Sequence, residues 1–162
     1  PDAAGISPGA RKRRGLRAAL SDVDGAAGSA GAMPFGQLDF LYVPSHDVAA
    51  DSAYFTTVLG GRLVFAIEDG GTRVAMVELT DGPPQVLLTD HLDGAETILI
   101  YRVGGLVATL GDLEGRGWDR APSFEIPQGP CCSFRTPGGQ RIALYESTRP
   151  GVLAHFRGRR DF

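Results

Sequence analysis

Residues 131–146 read CCSFRTPGGQRIALYE, and this stretch describes a β-hairpin. Residues 131–135 are rich in apolar side chains, and residues 141–145 are largely apolar again. Between them, residues 136–139 read Thr-Pro-Gly-Gly, in which proline fixes φ and glycine accepts a positive φ, as a tight turn requires. The stretch therefore predicts a strand, a turn and a second strand.

The same hairpin resembles the closing element of the glyoxalase/bleomycin-resistance/extradiol-dioxygenase group, the vicinal-oxygen-chelate superfamily. That element typically reads F-x-D-P-x-G-x-x-I-x-L-x-E. Two positions depart from it: Thr136 replaces the aspartate, and Ala143 stands where metal-dependent members place a glutamate ligand. The matching residues are Phe134, Pro137, Gly139, Ile142, Leu144 and Glu146.

The order of elements repeats along the chain. Apolar patterning and turn residues predict a strand, a helix and three strands, followed by the same series again. This repeat predicts an α+β fold built from two βαβββ modules, residues 37–91 and 96–147. The predicted strands are 38–43, 62–67, 73–79, 85–89, 97–103, 123–126, 131–135 and 140–145, and the predicted helices are 48–59 and 106–115.

A second motif supports the resemblance. Residues 51–60 read DSAYFTTVLG and resemble the family's helix ending S-x-x-F-Y-x-x-V-L-G, with Tyr54 and Phe55 in reversed order. The family fold implies that the two modules form a concave mixed sheet, with helices on its convex side and a ligand in the cup. The predicted buried faces of the helices carry Val48, Ser52, Phe55, Val58 and Leu59 in the first, and Leu106, Val107, Leu110 and Leu113 in the second.

The flanks of this domain have a different composition. Residues 1–36 are rich in Gly and Ala and offer little apolar surface, which predicts a flexible N-terminal extension. Residues 148–162 form a C-terminal tail, in which Val152, Leu153 and Phe156 are placed to dock as one helical turn. The arginines of the tail, Arg157, Arg159 and Arg160, are expected to stay solvated.

Charge and apolar content exclude several classes of partner. The net charge of −3 predicts no nucleic-acid binding, and no apolar run is long enough to predict membrane insertion. The basic start is not followed by the apolar region of a signal peptide. Cys131 and Cys132 are neighbours on one strand and point to opposite faces, so they cannot form an ordinary disulfide. We therefore expect a cytoplasmic protein. The open sheet edge and the resemblance together predict a homodimer.

The resemblance also places the metal ligands of metal-dependent members on four positions of this chain. Leucine and alanine have no donor atom, threonine is a poor ligand, and one carboxylate cannot hold a divalent metal tightly. We therefore expect neither a metal centre of the glyoxalase or dioxygenase type nor another cofactor. The four positions are Asp39, Leu87, Thr97 and Ala143.

Strand alternation nominates the residues that line the cup. If Phe40 and Tyr42 face the covering helix, Asp39 and Leu41 face the cup, and Arg141 is the best cation to pair with the Asp39 carboxylate. The pattern predicts an apolar, aromatic cavity with a few polar anchors. The predicted ligand-binding residues are Asp39, Leu41, Leu87, Thr97, Leu99, Tyr101, Arg141, Ala143 and Tyr145.

Three functions remain open from the sequence, so it does not decide whether the protein is an enzyme. The first is a metal-independent binder of a small organic molecule, as in the antibiotic-sequestering members of the family. The second is a metal-free lyase or isomerase in which Asp39 is the general acid/base, since a carboxylate on an apolar face has a raised pKa. The third is a metal-dependent lyase or dioxygenase, which requires a different strand register.

Overall fold

The computed structural model describes residues 33–162, and these residues form one unit. The expected flexible extension over residues 1–36 lies outside this part, apart from residues 33–36. Neither described helix has the length and hydropathy that a membrane span requires. The elements are β1 (Gln37–Pro44), α1 (Val48–Thr57), β2 (Arg62–Asp69), β3 (Thr72–Glu78), β4 (Gln85–Thr89), β5 (Ile98–Val103), α2 (Leu106–Gly115), β6 (Ser123–Ile126), β7 (Gly129–Arg135), β8 (Arg141–Glu146) and a 3-10 helix (Val152–Phe156).

The eight strands form one mixed sheet in the order β2-β3-β4-β1-β5-β8-β7-β6. β1 and β5 pair antiparallel at its centre, whereas β1 pairs with β4, and β5 with β8, in parallel. Each half of the sheet therefore contains one module, and the first strands of the two modules meet in the middle. The predicted α+β fold of two βαβββ modules is confirmed.

The hairpin at residues 131–146 forms the antiparallel pair β7–β8 of this sheet. Its turn is fixed by two backbone hydrogen bonds: Thr136 N–H donates to Gln140 O at 3.0 Å, and Gly139 N–H donates to Thr136 O at 2.9 Å. Gly139 has a φ of +89°, which a residue with a side chain adopts only with strain. The predicted strand, tight turn and second strand are therefore confirmed.

The two faces of the sheet carry separate apolar clusters. On the helix face, Val48 of α1 packs over strands β2 to β4, and Leu106 and Leu110 of α2 pack over β7 and β8. We call the opposite face the cup face. Its buried cluster consists of Phe40, Val64, Phe65, Met76, Leu87, Ile98, Cys131, Ala143 and Tyr145.

The buried faces of the helices are narrower than expected. α1 ends at Thr57, so Val58 and Leu59 lie beyond it and are 62% and 50% exposed. Val107 of α2 is 77% exposed, and Thr109 is buried in its place. The predictions that Val58, Leu59 and Val107 are buried were therefore wrong. The helix side needs only one stripe from each helix, because the sheet itself supplies most of the apolar surface.

A β-bulge interrupts β1. Leu38 pairs with Tyr101 and Phe40 pairs with Ile100, so β1 has one residue more than β5 at this point. The extra residue is Asp39. A bulge of this kind lets two successive side chains point to the same face of the sheet. Asp39 and Phe40 consequently both belong to the cup face, and the alternation restarts after them.

Residues 148–162 cross the cup face, and we call this segment the strap. At the β6 end, Arg149 Nη2 donates to Ile126 O at 2.6 Å. In the middle, the 3-10 helix packs on the cup-face cluster, with the ring centres of Phe156 and Phe65 5.8 Å apart. The prediction that this helical turn docks on the domain is confirmed for Leu153 and Phe156.

At its other end the strap pairs with the outer edge of β2. Gly158 N–H donates to Val64 O at 2.8 Å, Ala66 N–H to Arg159 O at 2.9 Å, and Asp161 N–H to Ala66 O at 2.8 Å. The strap therefore occupies backbone groups that an edge strand would otherwise present to solvent.

Two of the tail arginines that were expected to stay solvated are exposed but also make contacts, Arg159 with Asp161 and Arg160 with β2. The Arg160 guanidinium donates to the carbonyl oxygens of Leu63 at 2.8 Å and Val64 at 3.1 Å. The bulge in β2, where Leu63 pairs with Val77 and Phe65 with Met76, makes Val64 the extra residue of that strand. Arg160 therefore binds the two carbonyl groups on which the bulge is built.

Candidate functional site

A cavity of about 650 Å³ lies between the cup face and the strap. The strands provide its floor because the cup-facing residues of β1 to β5 are apolar, and Leu153 and Phe156 of the strap cover it. A volume and lining of this kind are typical of small-molecule sites. The apolar and aromatic part of the lining is Phe40, Tyr42, Phe65, Ile67, Val74, Leu87, Ile100, Ile126, Leu153 and Phe156.

Polar side chains of this larger cavity come from the β2–β3 turn, the β6–β7 turn and the strap. Arg159 lines the cavity and forms an ion pair with Asp161. A hydrogen bond from the backbone N–H of Glu68, together with that ion pair, lowers the pKa of Asp161. The other polar residues of the lining are Glu68, Asp69, Thr72 and Gln128.

A closed polar cluster lies at one end of the cup face. Tyr145 Oη donates to Asp39 Oδ2 at 2.5 Å, and Arg102 Nε lies 3.3 Å from the same oxygen. Asp39 and Tyr145 are 9% and 4% exposed, while Arg102 reaches solvent. Burial, followed by the hydrogen bond to the carboxylate, raises the pKa of Tyr145 well above its usual value, so the phenol keeps its proton and donates it.

The predicted pairing of Asp39 with Arg141 was wrong. Because β5 and β8 run parallel, Arg102 lies opposite Tyr145, whereas Arg141 lies opposite Ile98 at the other end of β8. The bulged Asp39 side chain reaches the end of β8 where Tyr145 lies, and the nearest cation there is Arg102. Arg102 was not among the predicted site residues.

Three residues predicted for the cup lie on the helix face. Leu41 packs against the cluster that contains Val48 of α1, and Leu99 is its direct partner across the strands. Tyr101 packs on the cluster beneath α2. On β1 the prediction alternated from Asp39, and the bulge there shifts every later residue to the opposite face. On β5 it alternated from Thr97, whereas the residues that belong to the cup-face cluster are Ile98 and Ile100.

The other predicted residues have different positions relative to the cavity. Leu87 lines it, whereas Ala143 and Tyr145 belong to the buried cluster without lining it. Thr97 precedes β5 and is half-buried. Arg141 lines a second cavity of about 450 Å³. The full lining of this smaller cavity is His91, Leu92, Asp93, Ser133, Phe134, Arg135 and Arg141.

Tyr42 and His91 lie between the two cavities, since Tyr42 lines the larger one and His91 the smaller one. Their ring centres are 5.5 Å apart, and Tyr42 Oη lies 3.3 Å from His91 Nε2. His91 Nδ1 lies 2.7 Å from the hydroxyl of the buried Thr89. Burial raises the pKa of Tyr42, so its phenol is neutral. His91 itself is exposed and lies in the loop after β4, two residues beyond Thr89.

The donor set does not fit the metal that the family resemblance implies. Leu87 and Ala143, at two of the four positions, are buried in the apolar cluster. Asp39 is engaged by Tyr145 and Arg102. Over residues 33–162, no group of three or more His, Cys, Asp or Glu side chains is arranged to hold a metal ion. No reaction step through a metal is therefore derived from this site.

The chain matches no protein-family model and no curated protein sequence. Solved structures do match it. Methylmalonyl-CoA epimerase from Mycobacterium tuberculosis has a TM-score of 0.60 and 20% identity, over 76% of this chain and 95% of that chain. The fold is that of the methylmalonyl-CoA epimerases.

Two further structures agree. The Streptomyces coelicolor epimerase in complex with 2-nitronate-propionyl-CoA has a TM-score of 0.56 and 15% identity, over 70% of this chain and 99% of that chain. A hypothetical protein from Bacillus halodurans has a TM-score of 0.55 and 12% identity, over 70% and 95%. Methylmalonyl-CoA epimerases are vicinal-oxygen-chelate proteins, so these structures have the fold that the hairpin motif implied. At such identities the likeness establishes the fold alone.

Proposed function

We propose that the protein binds a small organic molecule with an apolar body in the larger cavity, without a metal. The composition of that cavity carries the proposal, because about 650 Å³ is lined mainly by apolar and aromatic groups and covered by the strap. Epimerases of the same fold have been solved with 2-nitronate-propionyl-CoA and with methylmalonyl-CoA, which supports a small-molecule ligand. The proposed role is to sequester the ligand, as resistance proteins do, and the apolar Leu87 and Ala143 at two of the four expected metal positions support it.

The neutral fluorescent probe N-phenyl-1-naphthylamine tests this proposal. We expect saturable binding of one probe per chain, and we expect Leu87→Trp, which fills the cavity from β4, to weaken it at least tenfold. Val107→Trp, on the exposed side of α2, is the matched control and should bind the probe as the natural chain does. Absence of saturable binding, or equal binding by Leu87→Trp, would contradict the proposal.

The second candidate is a metal-free lyase or isomerase with Asp39 as the general acid/base. The observation in its favour is the buried carboxylate with a phenol donor at 2.5 Å, a pair through which a proton can move. Against it, neither Asp39 nor Tyr145 lines the larger cavity, and Arg102 already pairs with the carboxylate. The binding function is therefore preferred.

Asp39→Asn separates these two functions. For a binder, neutral ligands should bind the variant nearly as before. For an enzyme, binding should stay intact while the exchange of a ligand carbon-bound proton with deuterated water slows by about a hundredfold or more. Exchange is followed by proton NMR with 2-methyl-branched carboxylic acid thioesters as probes. Exchange that is equally fast with the natural chain and the variant removes the catalytic role of Asp39.

We further propose that the protein is a cytoplasmic homodimer whose domain spans residues 37–147. The strap occupies the edge of β2, so the edge of β6 is the one that remains for pairing. Light scattering at micromolar concentration should give twice the chain mass, and a monomer mass would contradict this. Elemental analysis after purification should find no stoichiometric transition metal, and one zinc, iron, nickel or manganese per chain would contradict metal independence.

A further inference from the structure

The smaller cavity contains a guanidinium group for which residues 33–162 provide no hydrogen-bond or ion-pair partner. Arg141 lines it from the start of β8, on the same face as Ala143 and Tyr145. Among residues 33–162, no carboxylate forms an ion pair with Arg141, although seven other arginines are paired. We infer that this cavity is an anion subsite, and that the ligand is an amphipathic molecule with a carboxylate or phosphate head group.

The strand pairing concentrates positive charge at this point. Arg135 of β7 lies directly opposite Arg141 of β8, so the two side chains share one face of the sheet. Like charges in directly opposed positions destabilise a sheet unless a counter-charge is present. Glu96 pairs with Arg135, and Arg135 also donates to Gly139 O at 3.0 Å. Only one of the two guanidinium groups is thereby compensated, and an anion beside Arg141 would compensate the second.

Two further polar side chains line the same cavity as Arg141. Ser133 lies two residues before Arg135 on β7 and directly opposite Ala143, so its hydroxyl belongs to the cup face. His91 adds an imidazole from the end of β4. Asp93 is the acidic residue of the lining, and it is exposed in the loop between the modules. A guanidinium fork flanked by a hydroxyl and an imidazole is suited to a carboxylate or a phosphate.

The position of the subsite beside the larger cavity defines the ligand. Tyr42 lines the larger cavity and His91 the smaller one, and their rings are in contact. The inferred ligand places its apolar tail in the larger cavity and its charged head group at Arg141, with Tyr42 and His91 between the two. This inference rests on the proposed binding function and adds the head-group chemistry to it.

A matched series of eight-carbon probes tests the inference with the full chain: octanol, octanoate and octyl phosphate. Dissociation constants come from titrations followed by amide NMR, which also reports where each probe binds. We expect at least one of the two anions to bind about tenfold or more tightly than octanol, with head-group-dependent shifts centred on His91, Ser133 and Arg141. Preference for octanoate or for octyl phosphate then tells a carboxylate site from a phosphate site.

The variant Arg141→Gln should bring the anions to the affinity of octanol, while octanol binding stays unchanged. The control is Arg62→Gln, which removes an exposed arginine paired with Glu78 and should retain the preference. Equal affinity of the three probes for the natural chain, or a preference that survives Arg141→Gln, overturns the anion subsite while octanol binding upholds the proposed function. Shifts centred away from the smaller cavity overturn it without any variant. Failure of all three probes to bind contradicts both proposals.

Discussion

The outermost strands β2 and β6 have the same place in the two modules but very different surroundings. β2 has eight residues, three of them buried in succession, and its edge is paired by the strap. β6 has four residues, of which three are exposed and none is buried. Their phenylalanines show the difference best, because Phe65 is 2% exposed and Phe124 is 49% exposed.

The strap accounts for part of this difference, and the lengths of the two strands for the rest. The repeat of βαβββ modules is symmetric, whereas residues 148–162 cover only one outer edge and are fixed at the other only by a turn. The strap therefore adds buried contacts at β2, while the four-residue β6 lacks such a cover within residues 33–162. A short edge strand offers few backbone groups for unwanted pairing. A segment outside the repeat thus makes the outer edges of the two modules different.

The largest effect on the free energy of unfolding is expected when Phe65 is truncated, with Phe124 as the comparison. Phe65→Ala should lower the free energy of unfolding by about 3–5 kcal/mol, because it empties a buried position against Phe156. Phe124→Ala should change it by less than about 0.5 kcal/mol, because that ring is half exposed. Urea denaturation measures both. Similar losses from the two variants would mean that the strap does not distinguish the edges.

The dependence of the free energy of unfolding on alkaline pH reports on β7, the strand next to β6. Cys131 of β7 lies directly opposite Phe124, and burial raises the pKa of its thiol from 9.0 to about 12. The unfolded chain loses this proton first, so stability is intact below pH 9 and falls as the pH rises towards 12. The slope is about 1.4 kcal/mol per pH unit for one thiol.

Buried Cys132 and Tyr145, whose pKa values are also raised, act in the same direction. Denaturation series at increasing pH should therefore be steeper for the natural chain than for Cys131→Ala. Parallel series would show that the Cys131 thiol is already open to solvent in the folded protein.

A smaller effect is expected where the strap is fixed near β6. Arg149 donates to the carbonyl oxygens of Pro127 at 2.7 Å and Ile126 at 2.6 Å, and it pairs with the exposed Glu125. Arg149→Ala should cost about 1 kcal/mol, mostly from the two carbonyl contacts, since exposed ion pairs contribute little. Amide exchange of Gly158 should become faster in this variant. Arg157→Ala, an exposed residue of the strap, is the control and should leave that exchange rate unchanged.

The smallest effect should come from the N-terminal residues. Their composition predicts that they add no core, so deletion of residues 1–32 should change the free energy of unfolding by less than about 0.5 kcal/mol. Deletion of the strap, residues 148–162, should instead lower the free energy of unfolding clearly, because it removes contacts with the cup-face cluster and β2. A lost or broadened cooperative transition after the N-terminal deletion would refute the prediction of a flexible extension.

The sequence predicted the element order because the deciding signals are local. The Pro-Gly-Gly turn, Gly60 after α1 and the apolar runs act over a few residues each. Asp47, directly before α1, accepts a hydrogen bond from Ala50 N–H at 3.0 Å, as its residue type at a helix start favours. The repeat then required only that the same order appear twice.

The facing of β1 could not be predicted, because the bulge at Asp39 has no sequence signal. No glycine marks it, and Leu38 to Tyr42 read as an uninterrupted strand. The ion-pair partner of Asp39 was missed for a related reason. Which arginine lies nearby depends on the register of β5 against β8, and that register is a property of the whole sheet.

The strap also determines the order in which the molecule can assemble. The contacts that hold it to β2 join residues 93 to 97 positions apart in the chain, such as Glu68 with Asp161 and Leu63 with Arg160. Closing so long a loop is entropically costly until the strands between are already in place. The sheet should therefore form first and the strap dock on it afterwards. A nearly complete folding intermediate would then have an open cup, accessible to its ligand before the native state closes over it.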